Sequence, residues 1–313
     1  MNKKAKTLIV IIGPTAVGKT DLAIKVARQF DTEIISADSR QFFRELSIGV
    51  ASPSPEELLA AKHHFIGNLS INVDYNVSKY ETEALQCLEE IFTTKDMAVL
   101  VGGSGLYIDA VCKGIDELPD PEITLREDIK QLFANEGIDA LRSQLRILDP
   151  VYYNEVDLAN PKRLMRAIEV CLTTGKTFSS LRIHQHSPRS FNIIKIGLNR
   201  ERELLYSNIN NRVDLMIEMG LIEEVKSLLP YKDFNALNTV GYKEIFAFLE
   251  GKYSQESAIE KIKINSRRYA KRQLTWFRRY EDIKWFDANS VMEIISYLNS
   301  ALLFNESKNH ENI

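Results

Sequence analysis

A glycine-rich stretch near the start of the chain has the residue types that hold phosphate. Residues 13–20 read Gly-Pro-Thr-Ala-Val-Gly-Lys-Thr and fit the pattern Gly-x-x-x-x-Gly-Lys-Ser/Thr. The glycines let backbone N–H groups turn towards phosphate oxygens, Lys19 adds a positive charge, and Thr20 can bind Mg²⁺. The motif predicts a polyphosphate ligand, although it does not identify a nucleoside triphosphate. The predicted phosphate-binding residues of this loop are Gly13, Pro14, Thr15, Ala16, Val17, Gly18, Lys19 and Thr20.

A carboxylate follows a second short apolar run. Residues 33–36 read Glu-Ile-Ile-Ser and predict a strand, and Asp38 comes just after it. Because the carboxyl ends of parallel strands meet at the ligand crevice of an open α/β sheet, we expect Asp38 near the phosphate loop. There it can bind Mg²⁺ or accept a proton from an incoming nucleophile. The alternative is an aspartate that caps a turn or a helix, which is common.

A basic and aromatic stretch lies near the end of the chain. Residues 266–279 hold six basic residues and no acidic one. On a helix with about 100° per residue, the basic side chains share one side and the aromatic ones the other. We expect the aromatic side to pack in the core and the cations to face phosphates of RNA or of a diphosphate. The alternative is a solvated charged face. The basic residues are Arg267, Arg268, Lys271, Arg272, Arg278 and Arg279, and the aromatic ones are Tyr269, Trp276, Phe277 and Tyr280.

Two smaller groups of residues are more ambiguous. Lys162, Arg163 and Arg166 share one face of a predicted helix, where an RNA contact and a solvated face are both open. His63 and His64 precede the strand-like pair Phe65-Ile66. Adjacent histidines in a strand point to opposite faces, so we expect a structural role and not metal binding.

The elements that position these residues alternate between strand and helix. Apolar, β-rich runs predict strands at 7–12, 33–36, 97–101 and 193–198. Between and after them, helical periodicity is found at 21–30, 78–93, 201–215, 222–229, 242–249 and 256–280. This alternation predicts an α/β fold with a doubly wound parallel sheet. Residues 122–181 show helical periodicity and no convincing strand. The predicted domains are therefore a P-loop catalytic core at 1–120 and 191–313, mostly helical in its C-terminal part, and a helical insertion at 121–190.

Composition limits the classes of partner and compartment. The chain has 313 residues, 44% of them hydrophobic, and a net charge of -3. A nucleic-acid partner therefore needs a local basic patch, since bulk charge does not provide the attraction. Cys87, Cys112 and Cys171 are widely separated, which argues against a disulfide framework or a cysteine metal site. No apolar run reaches membrane-spanning length and the N-terminus lacks a signal-type region, so we expect a cytoplasmic protein without a membrane partner.

The strand at 97–101 distinguishes between possible reactions. It ends in Gly102-Gly103-Ser104-Gly105, whereas an ordinary P-loop NTPase carries a metal-holding Asp in its Walker-B strand. The loop is therefore expected to hold a diphosphate leaving group. Two alternatives remain open from the residues alone. A P-loop small-molecule kinase shares the phosphate loop, and a non-catalytic RNA-binding module shares the basic helix.

Seven stretches together resemble one known family, the tRNA dimethylallyltransferases, also called tRNA isopentenyltransferases. The resemblance extends from about residue 7 to residue 287. It is carried by residues 13–20, 35–41, 101–107, 160–170, 220–225, 240–244 and 269–277. The order and spacing of these stretches make the resemblance much more specific than the phosphate loop alone. The chain departs from the usual family sequence at four positions. It has Val50 where the family usually has Thr, Ser52 in place of Lys, Gly67 in place of Asp, and Asn208 in place of Arg.

The resemblance implies a P-loop core with a helical insertion that contacts the tRNA anticodon arm. It implies transfer of a dimethylallyl group from dimethylallyl diphosphate to N6 of the adenosine 3′-adjacent to the anticodon. That adenosine is flipped into a channel, and the diphosphate enters from the other end. The implied cofactor is Mg²⁺ and the implied partners are tRNA, through its anticodon stem-loop, and dimethylallyl diphosphate. We expect a monomer.

The resemblance also implies a role for each matching residue. Asp38 is implied as the general base, with Thr15 and Ser104 as polar groups near the reacting atoms. Arg212 joins Lys19 and Thr20 in holding diphosphate, and Thr20 is implied as the Mg²⁺ ligand. The implied tRNA-contacting residues are Asp38, Ser39, Arg40, Gln41, Ser104, Lys162, Arg163, Leu164, Met165, Arg166, Asn238, Thr239, Val240, Gly241, Tyr242 and Lys243.

Overall fold

The computed structural model describes residues 6–116, 118–120, 122–182 and 187–311, with side chains as far as Phe304. Within this part of the chain, strands form a single six-stranded sheet. They are β1 (Thr7–Ile12), β2 (Ile34–Ser36), β3 (His63–His64), β4 (Met97–Gly102), β5 (Asn192–Asn199) and β6 (Ile283–Asp287). The predicted strands are confirmed as β1, β2, β4 and β5. The two edge strands, β3 and β6, were not predicted, since β3 has only two residues and β6 mixes charged and apolar residues.

The sheet is parallel throughout and has the order β3-β2-β4-β1-β5-β6. β1 lies between β4 and β5, and every residue of β1 is buried. A strand buried on both faces needs helices on both sides of the sheet, which explains its unbroken apolar sequence. The predicted α/β fold with a parallel sheet is confirmed. The carboxyl ends of β1, β2 and β4 all lie at one edge, where they lead into the glycine-rich loop, Asp38 and Ser104.

Helices alternate with the strands along the chain, and those at the separately predicted periods begin and end within about three residues of the prediction. Helices at 55–60, 105–113 and 291–311 were not predicted. The N-terminal helices are α1 (Lys19–Gln29), α2 (Pro55–Ala60), α3 (Val77–Thr94) and α4 (Gly105–Lys113). The insertion contains α5 (Ile123–Glu136), α6 (Ile138–Leu148), α7 (Pro150–Glu155), α8 (Pro161–Thr174) and α9 (Phe178–Leu181). The C-terminal helices are α10 (Arg202–Glu218), α11 (Leu221–Ser227), α12 (Tyr242–Leu249), α13 (Gln255–Phe277) and α14 (Val291–Glu311). Among the described helices, none is long and apolar enough to cross a membrane.

Alternate residues of β1 supply two separate cores. Leu8 and Val10 pack in a cluster with residues of α3 and α4, including Leu88. Ile9 and Ile11 pack in a second cluster with residues of α1 and α10. Because successive side chains of a strand point to opposite faces, this short run stabilises both layers at once. The two layers fix the direction in which the loops at the end of β1 and β4 leave the sheet.

The chain folds as two compact units, residues 1–112 with 189–313 and residues 113–188. The second unit contains α5 to α9 and has a core of its own, which includes Leu141, Leu145 and Leu164. The sequence placed the insertion at 121–190, and residue 121 itself lies outside the described ranges. Buried Asp149 accepts hydrogen bonds from the amides of Tyr152 and Ser179, at 2.9 and 2.6 Å, and so joins α7 to α9.

Candidate functional site

The glycine-rich loop adopts the turn that its sequence predicts. It connects β1 to α1, and Gly18 at the helix N-terminus has a left-handed φ of 105° that L side chains rarely adopt. The Lys19 ammonium group curls back and donates to the carbonyl oxygen of Pro14 at 2.8 Å. The loop therefore presents a helix N-terminus and a lysine at the same place, an arrangement that favours anions.

A cavity of about 740 Å³ opens at this edge of the sheet, within the first compact unit. Its volume lies in the usual range for pockets that enclose a ligand. Residues of the phosphate loop, of the segment after β2, of α10 and of α13 all contribute to the lining. Of the residues predicted for diphosphate, those in the lining are Thr15, Ala16, Gly18, Lys19, Thr20 and Arg212. Gly13, Pro14 and Val17 shape the loop without lining the cavity.

Asp38 lines the same cavity as Lys19 and Arg212. Its Oδ1 atom also accepts a hydrogen bond from the backbone amide of Arg40 at 3.0 Å, which holds the carboxylate in a tight turn. The two interpretations of Asp38, as a turn former and as a cavity residue, therefore apply together. The turn fixes the carboxylate, and a group fixed in this way loses little entropy when it engages a ligand.

Burial and neighbouring charges shift the pKa values of the basic groups around the cavity. Burial and the nearby charge of Arg212 together lower the pKa of Lys19 to about 7, although the charge of Asp38 opposes the shift. Burial likewise lowers the pKa of Arg212. Two cations whose charge is disfavoured by desolvation are stabilised when an anion enters between them. The electrostatics of the cavity thus favour a ligand with negative charge near Lys19 and Arg212.

Gln273 joins two loops of the site, and sequence reasoning missed it. Its side-chain oxygen accepts from the amide of Thr15 at 2.8 Å, and its nitrogen donates to the carbonyl of Gly103 at 2.9 Å. Gln273 is buried on α13, so these bonds connect the phosphate loop with the loop after β4. The only sequence signal was its position inside the stretch 269–277 of the family resemblance.

Ser104 lies just behind the lining and not in it. Its hydroxyl accepts from the amide of Ser39 at 3.1 Å and donates to the Ser39 hydroxyl at 3.2 Å. It also hydrogen-bonds to Tyr269, whose pKa burial raises to about 12. Ser39 and Tyr269 both line the cavity. Ser104 therefore supports two lining residues in this structure, and its predicted role near the reacting atoms remains a prediction.

The structure confirms that the aromatic side of the basic helix packs in the core, where Phe277 is buried and Trp276 and Tyr280 pack against the same cluster. Of its six basic residues, only Arg272 lines the cavity, and it does so beside Tyr269 from the aromatic side. Arg267 donates to Asn210 on α10 at 2.6 Å, and the guanidinium of Arg279 lies 4.1 Å from the ring centre of Trp276. A contact between the outward cations and RNA remains a prediction.

Two of the stretches predicted to contact tRNA meet at the cavity. Arg40 donates to the carbonyls of Asn235 and Ala236, at 2.8 and 3.1 Å, which ties the segment after β2 to the segment before α12. The lining residues from these stretches are Asp38, Ser39, Arg40, Gln41, Asn238, Thr239, Val240, Gly241 and Lys243. Tyr242 is the exception, because its side chain is fully buried. A contact between Tyr242 and tRNA therefore cannot involve its side chain in this structure, and its place in a tRNA-contacting stretch remains a prediction.

The third predicted stretch lies on α8 in the second unit. Lys162 and Arg163 are exposed near the start of this helix. Arg166 is partly buried and donates to the carbonyl of Pro119 at 2.9 Å. The side chain of Leu164 is fully buried in the core of the unit, so in this structure it stabilises the helix that carries the stretch. The other residues of the stretch, Met165 included, keep tRNA contact as a prediction.

The histidine pair has the structural role that its spacing predicts. His64 pairs with Glu33 at 2.6 Å, and the ring Nδ1 of His63 lies 2.8 Å from the carbonyl oxygen of Ala61. The strand is formed by the histidines themselves and not by Phe65-Ile66. It ends there because Phe65 takes a left-handed φ of 63°.

Fold and site together define a parallel α/β protein with an anion-binding loop and a carboxylate in one cavity. A sequence model of the family described as IPP transferase matches residues 41–280. A tRNA dimethylallyltransferase of Christiangramia forsetii is 54% identical over 297 residues, which are 94% of this chain and 98% of that protein. A tRNA dimethylallyltransferase 1 of Bacteroides fragilis is 49% identical over 298 residues, which are 95% of this chain and 99% of that protein.

Solved structures agree with the sequence relatives. The full-length tRNA isopentenylpyrophosphate transferase of Bacillus halodurans has a TM-score of 0.73 and 35% identity, covering 98% of this chain and 99% of that one. A eukaryotic dimethylallyltransferase acting on tRNA has a TM-score of 0.74 and 26% identity, covering 91% and 74% of the two chains. The chain belongs to the IPP transferase family. The family resemblance predicted from its sequence is confirmed.

Proposed function

We propose that this chain transfers a dimethylallyl group from dimethylallyl diphosphate to N6 of the adenosine 3′-adjacent to the anticodon in tRNA. One observation carries the proposal. The carboxylate of Asp38 lines the same cavity as Lys19, Thr20 and Arg212. A prenyl transfer to an amine needs a proton acceptor and an anion holder around one carbon atom, and these residue types supply both. Membership of the IPP transferase family supports the same reaction.

In the proposed step, adenine N6 attacks C1 of the dimethylallyl group. The N–C bond forms, the C–O bond to diphosphate breaks, and the N6 proton passes to Asp38. The exocyclic nitrogen is a weak nucleophile because its lone pair is delocalised into the ring. A carboxylate that accepts its hydrogen bond and then its proton raises its reactivity as the new bond forms. The turn that the Arg40 amide closes holds Asp38 ready for this role.

The departing diphosphate gains negative charge, and the site is built to stabilise it. The helix N-terminus at Lys19, the Lys19 ammonium group and the Arg212 guanidinium are arranged around the cavity before any ligand enters. Preorganised positive groups of this kind often give the largest single contribution to catalysis. A bound diphosphate stabilises the charged form of Lys19, which burial otherwise disfavours.

Mg²⁺ is the proposed cofactor, with the Thr20 hydroxyl as its protein ligand. The described residues contain no group of three or more His, Cys, Asp or Glu side chains that could hold a metal. A site with few protein ligands fits Mg²⁺, which usually keeps several waters and binds through phosphates of the substrate. Thr20 lines the cavity beside Asp21, so oxygen donors are present. When bound, the ion supplies further charge neutralisation to the diphosphate.

The proposed partners are tRNA, through its anticodon stem-loop, and dimethylallyl diphosphate. The cavity-lining segments at 38–41 and 238–243 are the proposed contacts of the flipped adenosine. Lys162, Arg163 and Arg166 of α8 are proposed for the anticodon arm. We propose a monomer that acts in the cytoplasm, where tRNA is its substrate. Sedimentation of the purified chain with and without tRNA tests the oligomeric state.

A double-label experiment tests the reaction. Unmodified tRNA is incubated with the chain, Mg²⁺ and either dimethylallyl diphosphate labelled in its hydrocarbon part or ATP labelled in its γ-phosphate. The expected result is hydrocarbon label on the adenosine next to the anticodon, and none on a tRNA with that adenosine replaced by guanosine. Phosphate label on an acceptor, without prenyl transfer, would support a kinase and overturn the proposal. Binding of tRNA with transfer of neither label would point to an RNA-binding module.

A further inference from the structure

One carboxylate holds a loop of the cavity wall by its backbone. Glu224 lies on α11 and accepts from three successive amides, those of Ser47 at 3.0 Å, Ile48 at 2.8 Å and Gly49 at 3.0 Å. The Ser47 hydroxyl donates to the same side chain at 2.7 Å. Hydrogen bonds to a charged acceptor are about twice as strong as neutral ones. The position of this loop therefore depends on Glu224, which is separated from Gly49 by 175 positions in the sequence.

The same carboxylate holds a second segment of the wall. The hydroxyl of Tyr242, at the start of α12, donates to Glu224 at 2.6 Å. The Tyr242 ring packs against Gly49 so closely that a Cβ atom on Gly49 would lie 2.5 Å from a ring carbon. Glycine is required there because of this close approach. Loop 47–49, Glu224 and Tyr242 thus form one unit, which we call the glutamate clamp.

Burial opposes the charge of Glu224, but the hydrogen bonds from Tyr242 and from the loop amides outweigh it and lower its pKa. The carboxylate is therefore ionised when it holds the loop. It can accept hydrogen bonds at both oxygens, whereas an amide in its place would present an N–H group to some of these donors. The chemistry of the clamp requires a carboxylate and not only a side chain of that size.

The clamped segments line the cavity, and the phosphate loop is held by other contacts. Gly49 ends the clamped loop and residues 50–52 follow it, while residues 240 and 241 precede Tyr242. All of these residues, 49–52 and 240–241, line the cavity. Residues 49–52 are Gly-Val-Ala-Ser and carry no charge, which suits an uncharged base better than a diphosphate. Lys19 bonds instead to Pro14, and Thr15 to Gln273. The clamp and the phosphate loop are therefore fixed independently.

We propose that Glu224, acting through Tyr242 and loop 47–49, is a positioning residue that sets the part of the cavity wall receiving the tRNA adenosine. It has no direct part in holding the diphosphate. This assignment rests on the proposed function, because it gives one wall of the cavity to the nucleoside. In this proposal Tyr242 does not contact tRNA with its side chain but holds the residues that do. This explains how a fully buried side chain belongs to a stretch predicted to contact tRNA.

Hydrogen exchange tests the clamp without any substrate. In the full chain, Glu224→Gln should speed exchange of the Ile48 and Gly49 amides by about ten-fold or more, since their charged acceptor is lost. The amide of Val10 in β1 should exchange as before. The matched control is Glu223→Gln, which removes the same charge from a neighbour on α11. Unchanged exchange at Ile48 and Gly49 in Glu224→Gln overturns the proposal.

Steady-state kinetics test what the clamp does for the reaction. Glu224→Gln should lower kcat/KM for an anticodon stem-loop by about ten-fold, while KM for dimethylallyl diphosphate stays within about two-fold. Tyr242→Phe removes one hydrogen bond and keeps the ring, so it covers the case in which Glu224→Gln fails to fold. It should give a loss of about three- to ten-fold, in the stem-loop value alone. Equal changes for both substrates, or no change for the stem-loop, overturn the proposal.

The two proposals fail in different ways. If the wild-type chain transfers no dimethylallyl group to tRNA, the proposed function is wrong, whatever hydrogen exchange shows. If the wild type is active and Glu224→Gln loosens loop 47–49 without changing the stem-loop kinetics, the reaction stands and the positioning role is overturned. Glu223→Gln should match the wild type in both measurements.

Discussion

Two walls of the same cavity are built in opposite ways. The phosphate wall, residues 13–20, is a continuous piece of chain whose glycines and helix N-terminus create its shape locally. The clamped wall, residues 47–52 and 238–243, is assembled from two distant segments that meet at Glu224 on a third. The first wall depends on backbone conformation and the second on long-range hydrogen bonds.

The difference fits the substrate that we propose for each wall. A diphosphate is a compact anion. Backbone amides, a helix N-terminus and a few cations are enough to bind it, so a short local motif suffices. A nucleoside in RNA is larger and mostly uncharged, and a snug cavity for it requires surfaces from several elements. We therefore expect substitutions in the two walls to affect the two substrates separately.

Asp38 lines the cavity together with residues of both walls, and its removal should have the largest effect. We expect Asp38→Ala to lower kcat by a factor on the order of 10²–10⁴, because N6 loses its proton acceptor. The dissociation constant for tRNA should change little. Single-turnover transfer and filter binding measure the two quantities, with Asp74→Ala at an exposed loop position as the control. A parallel loss of tRNA binding would contradict a base role.

The phosphate wall should lose affinity as pH rises, and the clamped wall should not. The Lys19 pKa is lowered to about 7, so its charged fraction falls from about one half at pH 7 to about one hundredth at pH 9. A bound diphosphate favours the charged form, so KM for dimethylallyl diphosphate should rise roughly fifty-fold over this range. Lys19→Met should bind poorly at both pH values and lose the dependence. A flat profile in the wild type would contradict this assignment.

Gln273 lies outside residues 13–20, but its hydrogen bonds help to hold the phosphate wall in place. Gln273→Leu leaves the Thr15 amide and the Gly103 carbonyl without their partner. We expect a loss of about 1–3 kcal/mol in the free energy of unfolding and about a ten-fold rise in KM for dimethylallyl diphosphate. Thermal unfolding and initial rates measure these, with Gln86→Leu on the outer side of α3 as the control. A larger effect on tRNA than on diphosphate would place Gln273 with the clamped wall instead.

The smallest expected effect is a difference between substitutions at two neighbouring residues of α13. Arg272 lines the cavity and Lys271 does not. Arg272→Gln should change kcat/KM for one of the substrates by about three-fold or more, since a lining cation is lost. Lys271→Gln should leave KM for dimethylallyl diphosphate unchanged. The same initial-rate assay in low salt measures both variants. Equal effects of the two variants on both substrates would show that the orientation of α13 does not govern function.

Much of the architecture was predictable because it depends on local patterns. The apolar run at β1, the glycine pattern of residues 13–20 and the helical period of α3, α8 and α12 are each contained in a short window. Edge strands escaped prediction because β3 has two residues, whose pairing with β2 is a tertiary contact. The amphipathic pattern of α13 predicted its buried aromatic side, but it could not show that Arg272 alone of the six cations lines the cavity, because that depends on tertiary packing.

The sequence alone determined the phosphate loop, the parallel α/β fold and the family, since these depend on residue types at fixed short spacings. It also indicated Asp38, because a residue after a parallel strand lies at a known edge of the sheet. Only the tertiary structure decided that Gln273 bridges two loops, that Tyr242 is buried and that Glu224 holds the clamped wall. Those contacts join residues far apart in the chain, and no local pattern encodes which distant donor an acceptor will meet.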